Sequence, residues 1–362
     1  THKVILSKII YFSFFKKHKV SINELSKYFY CFKEEVIDTV PLDIDVSRII
    51  LGFTNEEIII LLENLHLSYL KSKFLYVNGE LKIEKSKINF RDKGSVYTEN
   101  DIVTEITTNT IKNAIIDGVK KNNLKILDFG CGTGRFYLAA LKYLNLYLNI
   151  DKKEAIRNNL YAIDLDSLAI DILRITAYQY IDTRRISDLE FISKNIINKN
   201  MLITESSFEN NTVNRVDYKS DFDKVFLEGG FNVVMSNPPY FLLKINRKKD
   251  QDKNTEYFYN NLAKKIEREL NYFRNSGIYS YSIDGMLNYY KLSIEMMLKI
   301  SSKDAKIGVI CPSTLFTDLS SKKIRKILLE NNKLIEIDYY SESAKLFEDV
   351  AQSTVVFYFQ KG

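Results

Sequence analysis

Cysteine, histidine and tryptophan are scarce in this chain of 362 residues: three, three and none. Cys31, Cys131 and Cys311 lie far apart, and no pair of them has the spacing of metal ligands. That argues against a disulfide framework and a structural zinc site, so a reducing cytoplasm and a metal-free site are expected. Long apolar runs are also missing. No stretch of 18 or more apolar residues occurs, so no transmembrane helix and no membrane partner are expected. Val4 to Phe15 has the apolar character of a signal peptide. However, Lys8 and Ser13 interrupt it, Lys16 and Lys17 end it, and no small-residue cleavage site comes after it. The chain begins with Thr and stops just after a strand-like run, which fits a piece of a longer protein.

A large excess of one charge is absent as well. The formal net charge is +6, compatible with a nucleic-acid partner without establishing one. The distribution is more informative, because residues 241–275 hold nine basic and five acidic side chains. The remaining composition, 45% hydrophobic and 27% charged, is that of a globular protein long enough for two or three domains.

Residues 1–90 read as a mainly helical accessory domain. Two capping boxes mark helix starts, Ser21 with Glu24 and Thr54 with Glu57. Asn78-Gly79, flanked by alternating residues from Leu75 to Ile83, predicts a hairpin. Helices plus a hairpin leave a winged helix open beside a plain helical domain.

Residues 91–362 alternate between helix and strand. The helix 101–116 leads to a buried strand at 124–129, a glycine loop and the helix 135–144. Further strands are expected at 160–165, 201–204, 231–235, 306–311, 334–339 and 354–359, with helices at 167–180, 287–300 and 320–331. This order predicts an α/β fold with a doubly wound, Rossmann-like sheet. Residues 145–159 read as an inserted loop. Residues 241–285 are the one long insertion that breaks the alternation.

Asp128-Phe-Gly130-Cys-Gly132-Thr-Gly134 sits between a strand and a helix. Glycines let the chain turn tightly and bring backbone N–H groups near a ligand. The spacing matches neither a dinucleotide fingerprint nor a phosphate loop. A carboxylate at the loop would repel a pyrophosphate and suits a cationic ligand. S-adenosylmethionine, with a sulfonium and an ammonium but no phosphate, has that chemistry. Asp164 ends the next strand, where an acid takes a ribose diol. Asp166 or Ser167 is expected to cap the helix after it.

Asn237-Pro238-Pro239-Tyr240 comes directly after the apolar strand 231–235 and Ser236. Consecutive prolines end a strand and stiffen the chain beyond it. The Asn237 side-chain oxygen and the Pro238 carbonyl can accept the two hydrogens of a planar amino group. That favours a more tetrahedral nitrogen, able to attack a sulfonium methyl. Tyr240 offers a ring to stack on an unstacked base.

Together these motifs resemble the gamma-order N6-adenine DNA methyltransferases of type II restriction–modification systems, over residues 94–361. The resemblance implies S-adenosylmethionine as cofactor and double-stranded DNA as partner, alongside a restriction endonuclease or a recognition domain. It implies that Asn237, Pro238 and Tyr240 are catalytic, and that Asp128, Gly130, Gly132, Gly134 and Asp164 hold the cofactor. Gly94-Ser-Val-Tyr-Thr98 is similar to the family's entry motif, placing Thr98 on the methionine part, although Glu99 stands where the family usually has proline. Glu205 and Ser206 lie where a polar residue meets the cofactor adenine. Tyr289 to Leu298 is similar to the post-catalytic helix, and Phe347 falls where an aromatic helps to hold the flipped adenine. No separate target-recognition domain is evident in the chain. The basic run Arg247-Lys248-Lys249 is a candidate for phosphate contacts.

The main alternative is a protein glutamine-N5 methyltransferase acting on release factors, which shares the tetrad because an amide nitrogen is equally planar. The insertion and the first 90 residues favour DNA. Methylation of a guanine amino group in ribosomal RNA and an inactive subunit of the same fold complete the alternatives. The intact glycine loop and Asn237 argue against the inactive subunit.

Overall fold

The computed structural model describes residues 2–16, 20–33, 52–77, 80–85, 99–204, 214–244, 253–344 and 352–362. In chain order it contains α1 (His2–Ile10), α2 (Asn55–Lys71) and the hairpin β1 (Ser72–Val77) and β2 (Glu80–Lys85). Next come α3 (Asn100–Ile116), β3 (Ile126–Phe129), α4 (Arg135–Leu148), α5 (Lys152–Asn158) and β4 (Leu160–Asp164). Then come α6 (Ser167–Gln179), α7 (Asp188–Asn195), β5 (Ile196–Asn198) and β6 (Phe231–Ser236). The chain closes with α8 (Lys253–Asn275), α9 (Tyr289–Ile300), β7 (Ser301–Pro312), α10 (Lys322–Glu330), β8 (Lys333–Tyr340) and β9 (Thr354–Gln360). It divides into two compact units: residues 1–93 with 130–199, and residues 94–129 with 200–362.

In the first unit, β4 and β5 pair in parallel, Ala162 opposite Ile196 and Asp164 opposite Asn198. α6 is buried along nearly its whole length, and the N-terminal segment fastens to it through two charges. The Asp171 carboxylate accepts the N–H groups of Tyr30 (2.9 Å) and Cys31 (2.7 Å). One turn on, Arg174 donates to the Tyr28 carbonyl and, at 2.7 Å, to the Ile196 carbonyl. Burial raises the Asp171 pKa to about 6, against the lowering pull of Arg174 and the two N–H groups. The capping box at Thr54 forms reciprocally: Thr54 N–H donates to Glu57 Oε2 at 2.8 Å, and Glu57 N–H donates to Thr54 Oγ1 at 3.2 Å. Ser21 caps as expected, accepting from Glu24 N–H at 3.1 Å, but the helix it starts ends after Leu25. The expected hairpin is present, with Phe74 opposite Ile83, while Asn78 and Gly79 lie outside the described residues.

In the second unit the strand order is β3–β6–β7–β9–β8. The β3–β6 and β6–β7 pairs are parallel, and β9 runs antiparallel to both β7 and β8. α3 buries Ile102, Val103, Ile106, Thr110 and Ile111, one face of a 3.6-residue period. It approaches β7 so closely that a Cβ at Gly308 would sit 2.3 Å from Thr110 Oγ1, which is why that strand position is glycine. Parallel strands linked through helices, closed by an antiparallel pair, make the fold α/β and Rossmann-like, as the alternation predicts.

Two expectations need correction. Residues 145–159 are not an inserted loop. α4 runs on to Leu148, and α5 starts at Lys152 because Asp151 accepts the Glu154 N–H at 3.1 Å. The strand expected at 201–204 lies earlier, at Ile196–Asn198, where two β-branched residues join the ladder. Met201, Leu202 and Ile203 are buried by packing instead, with Ile203 accepting the Val216 N–H at 3.0 Å.

Candidate active site

The glycine loop turns on three residues with positive φ: Gly130 at 75°, Gly132 at 52° and Gly134 at 91°. Only glycine enters this region without strain. Gly130 and Cys131 donate their N–H groups to the Ile163 carbonyl at 3.0 and 3.1 Å, and Gly134 donates to Cys131 O at 2.8 Å. Gly134 then starts α4, and a Cβ there would lie 2.2 Å from Leu173 Cδ1. At Gly132 a Cβ would meet nothing within 4 Å, so the loop is open on that side. Thr133 between them is buried, and its hydroxyl has no hydrogen-bond partner among the described residues.

Asp164 ends β4 beneath this loop. Its carboxylate accepts the Gly132 N–H at 2.9 Å and the Asp166 N–H at 2.8 Å. A carboxylate offers about four acceptor positions, so two remain for ligand hydroxyls. Burial, the largest effect on this group, raises its pKa, while the two N–H groups lower it. Asp166 is the α6 cap, accepting the Leu168 N–H at 3.0 Å, and its second oxygen lies 3.3 Å from His66 Nε2. His66 is buried on α2, and nothing in its sequence surroundings marks it. Open space, an orphaned hydroxyl and remaining acceptor positions fit a polar, hydroxyl-bearing ligand at this loop.

Asp128 lies on β3 in the second unit and is 2% exposed. Its neighbour Phe129 accepts the Ser236 hydroxyl through its carbonyl at 2.6 Å, which ties the end of β6 to β3. Ladder pairing ends at Ser236, opposite Val309, because the prolines beyond it lack the N–H to continue it. Pro238 is buried, while Asn237, Pro239 and Tyr240 are half-buried. The Tyr240 hydroxyl donates to the Ile310 carbonyl on β7 at 3.3 Å. Burial pushes its pKa far up, so it stays protonated.

The chain leaving the tetrad is held just as firmly. Leu243 N–H donates to Leu287 O at 2.9 Å, and Tyr289 N–H donates to Phe241 O at 3.0 Å. Asn288 caps α9, accepting the Tyr290 N–H at 3.3 Å. The Phe241 and Tyr289 rings stack with centroids 5.6 Å apart, and the Tyr289 hydroxyl donates to the buried Glu269 carboxylate on α8. Lys291, buried on α9, donates to Met286 O at 3.1 Å and Ser320 Oγ at 3.3 Å. Glu295 accepts the N–H groups of Ser280 (2.7 Å), Tyr281 (3.0 Å) and Ser282 (2.9 Å). These groups fix the segments that flank α9. Their sequence signal is only a charged or phenolic residue inside an otherwise apolar helix.

Thr98, Glu205, Ser206 and Phe347 lie outside the described residues, as do Arg247, Lys248 and Lys249. Among the described residues, no cluster of His, Cys, Asp and Glu could hold a metal ion, and no helix is long and apolar enough to cross a membrane.

Residues 158–347, just over half of the chain, match the model of the Eco57I restriction-modification methylase family. The chain belongs to this family. The match takes in Asp164, the tetrad and α9. Among solved structures, the chain is similar to the DrdV–DNA complex, with 14% identity over 99% of this chain and 36% of that one, at a TM-score of 0.60. It is also similar to a nuclease-deletion mutant of the Type ISP restriction-modification enzyme LlaGI, with 18% identity over 99% and 30%, at 0.59. The type IIG restriction endonuclease BpuSI gives 18% identity over 100% and 36%, at 0.52. These likenesses bear out the Rossmann-like fold. The chain spans about a third of the length of these three structures. No curated protein matches its sequence.

Proposed function

We propose that this chain is the modification part of a restriction–modification enzyme, transferring a methyl group from S-adenosylmethionine to N6 of an adenine flipped out of DNA. The observation that carries the proposal is Asn237-Pro238-Pro239-Tyr240 at the end of β6, tied down at Ser236 and Tyr240, in a chain of the Eco57I methylase family. In this reading residues 91–362 are the catalytic part, residues 1–90 are accessory, and the protein works in the cytoplasm.

The bound cofactor supplies a methyl group made electrophilic by its sulfonium. The glycine loop would lie against it, Asp164 would take the ribose hydroxyls with its two remaining acceptor positions, and Asp128 would meet the ammonium. Thr98, with Glu205 or Ser206, would complete the contacts. The Asn237 side-chain oxygen and the Pro238 carbonyl accept the hydrogens of the adenine amino group and draw its nitrogen toward a tetrahedral shape. One of those protons is lost to solvent after transfer, so no strong base is needed. Tyr240, protonated and anchored through its hydroxyl, keeps its ring as a platform for the base, and Phe347 would cover the other side. A restriction endonuclease or a recognition domain is the expected partner, because the similar enzymes are about three times longer.

Labelled methyl transfer to unmethylated genomic DNA tests the proposal. Label in DNA from the wild type, and none from N237A with cofactor binding retained, supports it. Label in a release factor and none in DNA would move the substrate to a glutamine amide.

A further inference from the structure

α8 is the long helix of the insertion between the tetrad and α9, and its two faces differ in chemistry. The inner face is anchored. Ile266, Glu269, Tyr272 and Phe273 are buried, the Tyr272 hydroxyl accepts the Thr204 N–H at 2.9 Å, and Phe273 lies edge-on to Tyr279 at 5.3 Å. Glu269 takes the Tyr289 hydroxyl, and Tyr289 stacks on Phe241, the residue after Tyr240. The helix is therefore coupled to the exit of the tetrad through a chain of side-chain contacts.

The outer face carries Asn260, Asn261, Lys264, Arg268, Asn271 and Asn275, all exposed, with the exposed Glu267 and Arg274 along one edge. Their spacing of three and four residues puts them on one stripe about 20 Å long, at about 1.5 Å per residue. Lys264 and Arg268 have no ion-pair partner among the described residues, whereas Lys265, to one side, pairs with Glu269 at 4.0 Å. Asn is a weak helix former, at roughly 0.6 kcal/mol less favourable than Ala, so four of them on a solvated face cost helix stability, offset only in part where Asn275 Nδ2 donates to Asn271 Oδ1 at 2.6 Å. An ordinary solvated face would use Glu, Lys and Gln. Asn, with a donor and an acceptor side by side, and Arg, with paired donors, match base edges in a major groove, and Lys and Arg match phosphates.

We propose that the outer face of α8 docks on duplex DNA beside the target adenine, with Lys264 and Arg268 on phosphates and the asparagine amides toward base edges. The inference rests on DNA being the substrate. Through Glu269, Tyr289 and Phe241, the seating of that helix also sets the position of the tetrad's exit.

The test uses the full-length protein, a duplex carrying its methylation site, and salt titrations of affinity. Each lost phosphate contact lowers the slope of log affinity against log salt by about 0.9, so K264A/R268A is expected to lower it by about 2. Cofactor affinity should be unchanged, which reports an intact fold, and K264R/R268K, which keeps both charges, should restore the slope. N261A/N271A/N275A should leave the slope alone and weaken discrimination between the methylation site and unrelated duplex. A wild type that methylates DNA, with an unchanged slope in K264A/R268A, overturns the docking face and leaves the activity standing. A wild type that binds cofactor and methylates no DNA overturns both.

Discussion

The hydroxyl of Tyr240 reaches across to the carbonyl of Ile310, 70 residues further along the chain, at 3.3 Å. That bond fixes one end of the ring proposed to receive the adenine and leaves its face as the functional surface. Y240F removes the bond and keeps the ring. It should lower stability by about 1 kcal/mol and leave the turnover rate within a few-fold of wild type. Y240A removes the platform and should reduce kcat/KM for DNA by about 10-fold or more, at about 1–3 kcal/mol per stacked base. Denaturant melts and steady-state kinetics separate the two effects. Equal activity in both variants would remove Tyr240 from the site.

In the proposed mechanism Asn237 would act on the methyl-accepting nitrogen and make no demand on the cofactor. N237A should bind S-adenosylmethionine as the wild type does and lose transfer by at least about 100-fold, the scale of removing one aligned polar group at a reacting centre. Calorimetry for the cofactor and a transfer assay for the reaction check this, and a loss of cofactor affinity instead would assign Asn237 to the other half of the reaction.

The glycine loop offers a stability test. At Gly134 the φ of +91° and the position of Leu173 both oppose a side chain, so G134A should destabilise the protein by about 1–3 kcal/mol and weaken cofactor binding. At Gly132 the space is open, so only the positive φ of 52° resists G132A, which should lower stability less. If thermal melts reversed that order, the packing described around Gly134 would be wrong.

Asp171 makes stability depend on pH. Its folded pKa is raised to about 6 from 3.8, so between those values the folded protein binds more protons than the unfolded one. The contribution of this group is therefore greatest below pH 3.8 and declines as pH rises through about 6, by on the order of 3 kcal/mol. Denaturant titrations of wild type and D171N from about pH 4 to 7 should show the wild type losing ground against the variant as pH rises. A difference that stays flat over that range would mean that Arg174 and the two N–H groups cancel the effect of burial.

The backbone shape of the glycine loop and of the proline turn is legible in the sequence because it is set locally. The glycines of 130–134, Asp164 at a strand tip and the two prolines each impose a backbone shape that neighbouring residues cannot override. The capping boxes at Thr54 and Ser21 are legible for the same reason. The features that stay hidden depend on pairs far apart in the chain. Asp171 and Arg174 have the look of helix surface, yet they are buried because Tyr30 and Cys31, about 140 residues away, fold over them. Glu269 and Tyr289 meet across the insertion, and His66 meets Asp166, without any motif announcing either. The α5 helix is hidden for a different reason. Its cap, Asp151 with Glu154 three residues later, is a local signal that a short, highly charged stretch obscures.

The most direct measurement is the identity of the methylated base. Unmethylated DNA incubated with the full-length protein and S-adenosylmethionine, then hydrolysed to nucleosides and analysed by mass, should contain N6-methyladenine, and the N237A product should not. N4-methylcytosine, or unmodified DNA from a protein that binds the cofactor, would contradict adenine as the substrate.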